Sequence, residues 1–127
     1  MRKRLIIFDL DGVLINSINN MRFAWKNTSE RHNLKIPFKN YRILIGLPFK
    51  KILENLKIKN KFHLSVSRSY DFFSKQKIHE IKISQNKINF LKKLIKNEFQ
   101  LALYTSKNLS RTKIILGKNR KLFKIIL

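Results

Sequence analysis

Residues 8–17 read FDLDGVLINS, and this stretch decides the fold. Just upstream, Leu5-Ile6-Ile7-Phe8 is apolar without alternation, the pattern of a short strand covered on both faces in a parallel sheet flanked by helices. At the strand's C-terminal edge follow Asp9, the spacer Leu10, Asp11 and Gly12. In open α/β sheets, ligands collect outside the carboxyl ends of the strands, and a glycine lets the chain turn sharply there. Two carboxylates at such a place make a candidate site for a cation and an anionic substrate. The alternative, two solvated loop acids, is the weaker reading. The chain holds only three Asp, and two of them stand here.

Beyond Gly12 the pattern turns helical. Asn16 or Ser17 can N-cap a helix with Ile18, Met21, Trp25 and Thr28 on one face. Residues 33–41, with Pro37, read as a loop. In RILIGLPFKKILENL, residues 42–56, Gly46 breaks the pattern and Pro48 suits a first helical turn. Phe49, Ile52, Leu53 and Leu56 then form an apolar stripe. A further helix is expected from about Phe62 to Lys77, its Phe62, Val66, Tyr70 and Phe73 stripe read as core packing. From Ile88 the α/β signals return. Ile88, Leu91, Leu94 and Ile95 mark a helix with Lys92, Lys93 and Lys96 on its outer face, and QLALYT at 100–105 is a second apolar strand. Thr105-Ser106-Lys107-Asn108 gives that strand a polar end and starts a helix that stops at Gly117. Leu122–Leu127 reads as a third strand.

The expected fold class is therefore α/β: a parallel sheet of about three strands flanked by helices, with an inserted helical segment. Residues 1–14 and 81–127 are expected to form the core, and 15–80 the helical insertion.

Composition narrows the function. At 127 residues the chain is one domain by length, small for an α/β enzyme. It has no cysteine, which excludes disulfides and thiolate metal sites. The three histidines, at 32, 63 and 79, lack ligand spacing. No apolar run approaches the roughly 20 residues of a membrane span, and the basic start runs straight into strand-like residues rather than a signal peptide. The expected location is cytoplasmic, with no membrane partner. The balance of 29 Lys+Arg against 7 Asp+Glu gives a net charge of +22. Its even spread, in a chain dominated by Lys, Asn and Ile, fits biased coding better than selection for a polyanion, so nucleic acid is the lesser expectation.

FDLDGVLINS resembles the first motif of the haloacid dehalogenase superfamily of Mg²⁺-dependent phosphohydrolases, and LALYTSK at 101–107 resembles its second. The helical stretch between them is similar in position and length to the cap of the phosphoglycolate phosphatase and β-phosphoglucomutase branch. The resemblance thus implies a Rossmann-like, three-layer core, incomplete, with residues 15–80 as its inserted α-helical cap. IGLP at 45–48 resembles a segment of such caps. The resemblance implies that Asp9 is a nucleophile forming an aspartyl-phosphate and that Asp11 is the general acid and base. It also implies that the Asp9 carboxylate and the Asp11 backbone carbonyl ligate Mg²⁺. Thr105, with neighbouring backbone at Ser106 and Leu10, would hold phosphoryl oxygens. Arg42, Gly46 and Lys50, around the IGLP segment, are weaker cap candidates, since lone basic residues are usually a solvated face. The implied substrate is a small phosphorylated metabolite. A phosphomutase is the nearest rival, and a catalytically inactive fragment or a basic binding module the rival from another class. A dehalogenase fits less well, because a second acid two residues after the nucleophile points to phosphoryl chemistry.

The family's third-motif Lys and fourth-motif acids fall beyond the third strand, and no acid follows Glu98. None of Lys118, Lys121 and Lys124 stands where the third-motif Lys belongs. The family's sheet places strand one centrally, so a chain with only three strands leaves Leu5–Phe8 as an apolar edge. The expectation is the N-terminal part of a longer phosphatase, or a chain that depends on a partner. Asn16 is a further departure, where many relatives carry Asp.

Overall fold

The protein's computed structural model describes residues 2–127. The chain divides into two compact units, Met1–Ser17 with His79–Leu127, and Ile18–Ile78.

The first unit is built on three parallel strands, β1 (Arg4–Asp9), β2 (Phe99–Tyr104) and β3 (Ile125–Ile126), in the order β1-β2-β3. The register runs from Arg4 opposite Phe99 to Asp9 opposite Tyr104. It places the ends of β1 and β2 side by side. β2 is the central strand, and Leu101, Ala102 and Leu103 are buried on it. Helix α5 (Gln85–Lys96) packs on β2 through its buried Ile88 and Leu91. Ser84 caps it by accepting the Lys87 backbone N–H, and Lys92, Lys93 and Lys96 face solvent. Ile95, expected on the apolar stripe, is 37 % exposed. Helix α6 (Leu109–Leu116) ends at Gly117, whose φ of +52° suits a residue without a side chain.

Two expectations are corrected here. The third strand is shorter than 122–127, because a 3₁₀ turn over Gly117–Leu122 takes up the chain before it. The Lys124 N–H still bonds Leu101 O and the Leu127 N–H bonds Leu103 O, which carries the pairing past the strand's assigned ends. Nor is β1 covered on both faces. Leu5 and Ile7 are 50 % and 56 % exposed while Ile6 and Phe8 are half-buried. Among the described residues β1 pairs with β2 alone, so it is a margin strand with one open face.

The second unit is helical: α1 (Ile18–Arg31), α2 (Phe38–Arg42), α3 (Phe49–Asn55) and α4 (Asn60–Gln76). Ala24, Trp25, Tyr41, Ile52, Leu53, Ile58, Val66 and Tyr70 form its core. The Trp25 and Tyr41 rings stack at 4.8 Å, and Tyr41 and Tyr70 at 5.6 Å. Trp25 Nε1 donates to Ile36 O at 2.9 Å, so its polar edge is satisfied as it is buried. The reading of 33–41 as loop misses α2, which Pro37 starts; its helical turn is what brings Tyr41 into the aromatic stack. Phe62, in the first turn of α4, is 45 % exposed, so the stripe begins at Val66. On α1 the buried face is Asn20, Ala24, Trp25, Thr28 and Ser29, with Ile18 and Met21 only half-buried. The Asn20 amide spans to α4, donating to Ser74 O at 3.2 Å and Ser74 Oγ at 3.4 Å.

Candidate active site

The C-terminal ends of β1 and β2 assemble the candidate site. Asp9 is the last residue of β1, opposite Tyr104, the last of β2, so Asp9 and Thr105 leave neighbouring strands at one sheet end. The Asp9 side chain is exposed and makes no hydrogen bond or ion pair among the described residues. Leu10 points the other way. Its side chain is fully buried, and its carbonyl accepts the N–H groups of Leu14 and Ile15. Gly12 turns the chain at φ +81°, and its N–H bonds Ile15 O at 2.9 Å. Lys87 Nζ donates to Val13 O at 2.7 Å, tying the same loop to α5. The backbone on either side of Asp11 is thus fixed at several points.

Among the described residues the Asp11 carboxylate has two partners, and both fall on one oxygen. Ser17 Oγ donates to Asp11 Oδ1 at 2.5 Å, and Lys107 Nζ lies 3.5 Å from the same atom. The Lys107 side chain is only 8 % exposed and that of Asp11 26 %. Burial holds the Lys107 ammonium below the usual lysine range. Asp11 raises it part of the way back, and the nearby Arg111 guanidinium lowers it further.

Beyond β2 the turn is ordered by its own side chains. Thr105 Oγ1 accepts the Lys107 N–H at 3.0 Å, and the Thr105 N–H bonds Leu127 O at 3.3 Å. Asn108 Oδ1 caps α6, accepting the N–H groups of Ser110 at 2.8 Å and Arg111 at 3.3 Å. The exposed Ser106 keeps its backbone N–H without a protein partner among the described residues. Asp9, Asp11, Thr105 and Ser106 therefore stand together in the first unit. Arg42, Gly46 and Lys50 belong to the second, where all three are exposed. Arg42 ends α2, Gly46 turns at φ +110°, and Lys50 lies in the first turn of α3.

Two members of this constellation are not singled out by sequence spacing. Ser17 reads as a helix cap, yet its hydroxyl proton goes to Asp11. Lys107 reads as part of a polar helix start. Its signal is being the one cation within two residues of Thr105. A hard cation takes oxygen donors and keeps several waters. The free Asp9 carboxylate and the Asp11 carbonyl fit such an ion as a partial cage. Among the described residues, no group of three or more His, Asp or Glu gathers into a fuller one. No helix among them is long and apolar enough to cross a membrane.

No curated protein matches the chain. Solved structures do. A haloacid dehalogenase-like family hydrolase from Streptococcus pneumoniae is 21% identical, with a TM-score of 0.79, over 98% of this chain and 60% of its own. A predicted phosphoglycolate phosphatase from Haemophilus somnus is 20% identical, with a TM-score of 0.80, over 98% and 61%. CbbY from Rhodobacter sphaeroides, solved in complex with phosphate, is 16% identical, with a TM-score of 0.79, over 98% and 63%. These likenesses establish a shared fold, and the chain spans about three-fifths of the length of the structures it matches. The sequence model of the haloacid dehalogenase-like hydrolases matches residues 6–127. The chain belongs to the haloacid dehalogenase-like hydrolase family.

Proposed function

We propose that the protein hydrolyses a small phosphorylated metabolite in the cytoplasm, in the manner of a phosphoglycolate phosphatase, through an aspartyl-phosphate. One observation carries the reading: an unpartnered carboxylate, Asp9, a second carboxylate two residues on, and Thr105 leave adjacent strands at the same sheet end. Phosphoryl transfer asks for an in-line oxygen nucleophile, neutralised equatorial oxygens and a proton donor for the leaving group. In this reading an Asp9 oxygen attacks phosphorus as the ester P–O bond breaks, and Asp11 protonates the departing oxygen. A water then attacks the aspartyl-phosphate, gives its proton to Asp11, and restores the Asp9 carboxylate. Thr105 Oγ1 and the Ser106 N–H orient the phosphoryl oxygens. Magnesium, held by the Asp9 carboxylate and the Asp11 carbonyl, would supply charge neutralisation. The helical unit Ile18–Ile78 is read as the substrate-selecting cap, with Arg42, Gly46 and Lys50 as candidate contacts. A structural relative that holds phosphate, CbbY, supports the choice of ligand.

The test is Mg²⁺-dependent release of phosphate from a generic aryl ester by the protein and by Asp9→Asn. Turnover should fall by at least about a thousandfold, the order expected on losing a covalent nucleophile. Activity that persists in Asp9→Asn removes Asp9 from the role of nucleophile.

A further inference from the structure

We infer that Ser17 and Lys107 clamp Asp11 in one rotamer, leaving Oδ2 as the oxygen that moves the proton, and that Lys107 is therefore a positioning residue. The inference rests on the reading of Asp11 as acid and base given above. The geometry behind it is asymmetric. The Ser17 hydroxyl at 2.5 Å and the Lys107 ammonium at 3.5 Å both address Oδ1, and Oδ2 has no protein partner among the described residues. The two holders come from segments far apart in sequence, Ser17 just before α1 and Lys107 just before α6. Each is itself immobilised. Ser17 is 3 % exposed, and the Lys107 backbone is tied to Thr105 Oγ1 at 3.0 Å. With the main chain held around Gly12 as well, the carboxylate is fixed at its base and at one of its two oxygens.

The arrangement is costly for the fold alone. Asp11, at 26 % side-chain exposure, has water available to it, whereas an ammonium at 8 % has little. A surface carboxylate needs no buried lysine; an acid that must present one oxygen at a fixed place gains from one. Proton transfer depends on heavy-atom approach within hydrogen-bond reach, and a displacement near 1 Å costs on the order of a hundredfold in rate. Binding Oδ1 twice thus selects which lone pair faces the reacting oxygen.

The clamp is read first without turnover, in the isotopically labelled full chain, from the three-bond couplings of the Asp11 carboxyl carbon to its backbone nitrogen and carbonyl. The native protein should show a single staggered χ1, and Ser17→Ala and Lys107→Met should each show rotamer averaging with an otherwise native amide spectrum. Couplings that remain those of one rotamer in both variants overturn the proposal. Kinetics supply the second measure. An alkyl phosphate needs its leaving oxygen protonated and a nitrophenyl phosphate does not, so Lys107→Met should slow the alkyl ester about tenfold more. Equal slowing of both esters makes Lys107 a merely structural residue and overturns the proposal. Turnover surviving in Asp9→Asn would count against the nucleophile instead, and leaves the coupling measurement to decide the clamp.

Discussion

Lys107 shows at the scale of one residue how function and stability pull apart. Its ammonium sits at 8 % side-chain exposure with one carboxylate 3.5 Å away. Burial nevertheless outweighs that carboxylate, since the net effect on the group is to lower its proton affinity. Removing one member of a buried ion pair is destabilising where the other charge is left buried and alone. Asp11, however, keeps the Ser17 hydroxyl and, at 26 % side-chain exposure, water, whereas the charged Lys107 is disfavoured by its burial. Lys107→Met is therefore expected to be about 1 kcal/mol more stable at neutral pH, measured by urea unfolding. The sign with pH follows from linkage. A lysine whose folded-state affinity is depressed binds fewer protons folded than unfolded between its two pKa values, so stability rises with pH across that interval. The advantage of Lys107→Met should be largest near neutrality and shrink as pH climbs toward about 10.4, where the unfolded lysine also loses its proton. A wild-type protein that loses stability relative to the variant over that climb would contradict this account. None of it is legible in the sequence. Asp9 and Asp11 announce themselves by spacing and scarcity, but burial of a lysine is a property of segments distant in sequence meeting, and only the fold displays it.

At the scale of the element, the helix starts that flank the site are set by local chemistry and were readable. Asn108 opens α6 where the polar run Thr105–Asn108 predicts it, with Oδ1 accepting two of the helix's first N–H groups. Asn108→Ala should cost about 1 kcal/mol in urea unfolding, the usual value of a lost cap. Because the same turn carries Thr105 and Lys107, it should also loosen the Lys107–Asp11 contact, seen as faster amide exchange at Lys107. Gly12 makes the complementary case. Nothing lies within 4 Å of where its Cβ would stand, but φ is +81°. Gly12→Ala then carries only a backbone penalty, about 1 kcal/mol, and a loss much above that would mean the turn is held by contacts rather than by conformation. The elements that escaped the sequence reading failed for identifiable reasons. The segment holding α2 is only five residues long, shorter than the window in which helical periodicity shows. The Leu122–Leu127 run looks strand-like in composition, yet the 3₁₀ turn from Gly117 consumes its start.

Across residues 1–127 as a unit, two opposing features govern behaviour in solution: a strand margin with no neighbour among the described residues and a net charge of +22. The parallel strands and the family were legible in the apolar runs and in the order of the two motifs, whereas the sheet order β1-β2-β3 is shown by the structure. The apolar run at 5–8 by itself reads as covered on both faces; the expectation that three strands leave it as an apolar edge is the one the sheet order matches. Leu5 at 50 % and Ile7 at 56 % exposure lie on a strand whose far side has no neighbour among the described residues. An apolar, unprotected margin of this kind is a template for pairing with another chain. The positive charge opposes that pairing, and does so over a distance set by salt. The Debye length is about 30 Å at 0.01 M ionic strength and about 3 Å at 1 M. At low salt, copies should repel before their margins meet; at high salt the repulsion is screened while apolar burial is not. A polypeptide of these 127 residues should accordingly scatter light as a single species at low ionic strength and associate as salt rises. Ile7→Lys, which puts a charge on the exposed face of β1, should suppress that association with a stability change within about 0.5 kcal/mol, as expected of an exposed position. Association that falls with added salt, or that Ile7→Lys leaves untouched, would place the sticky surface elsewhere than β1.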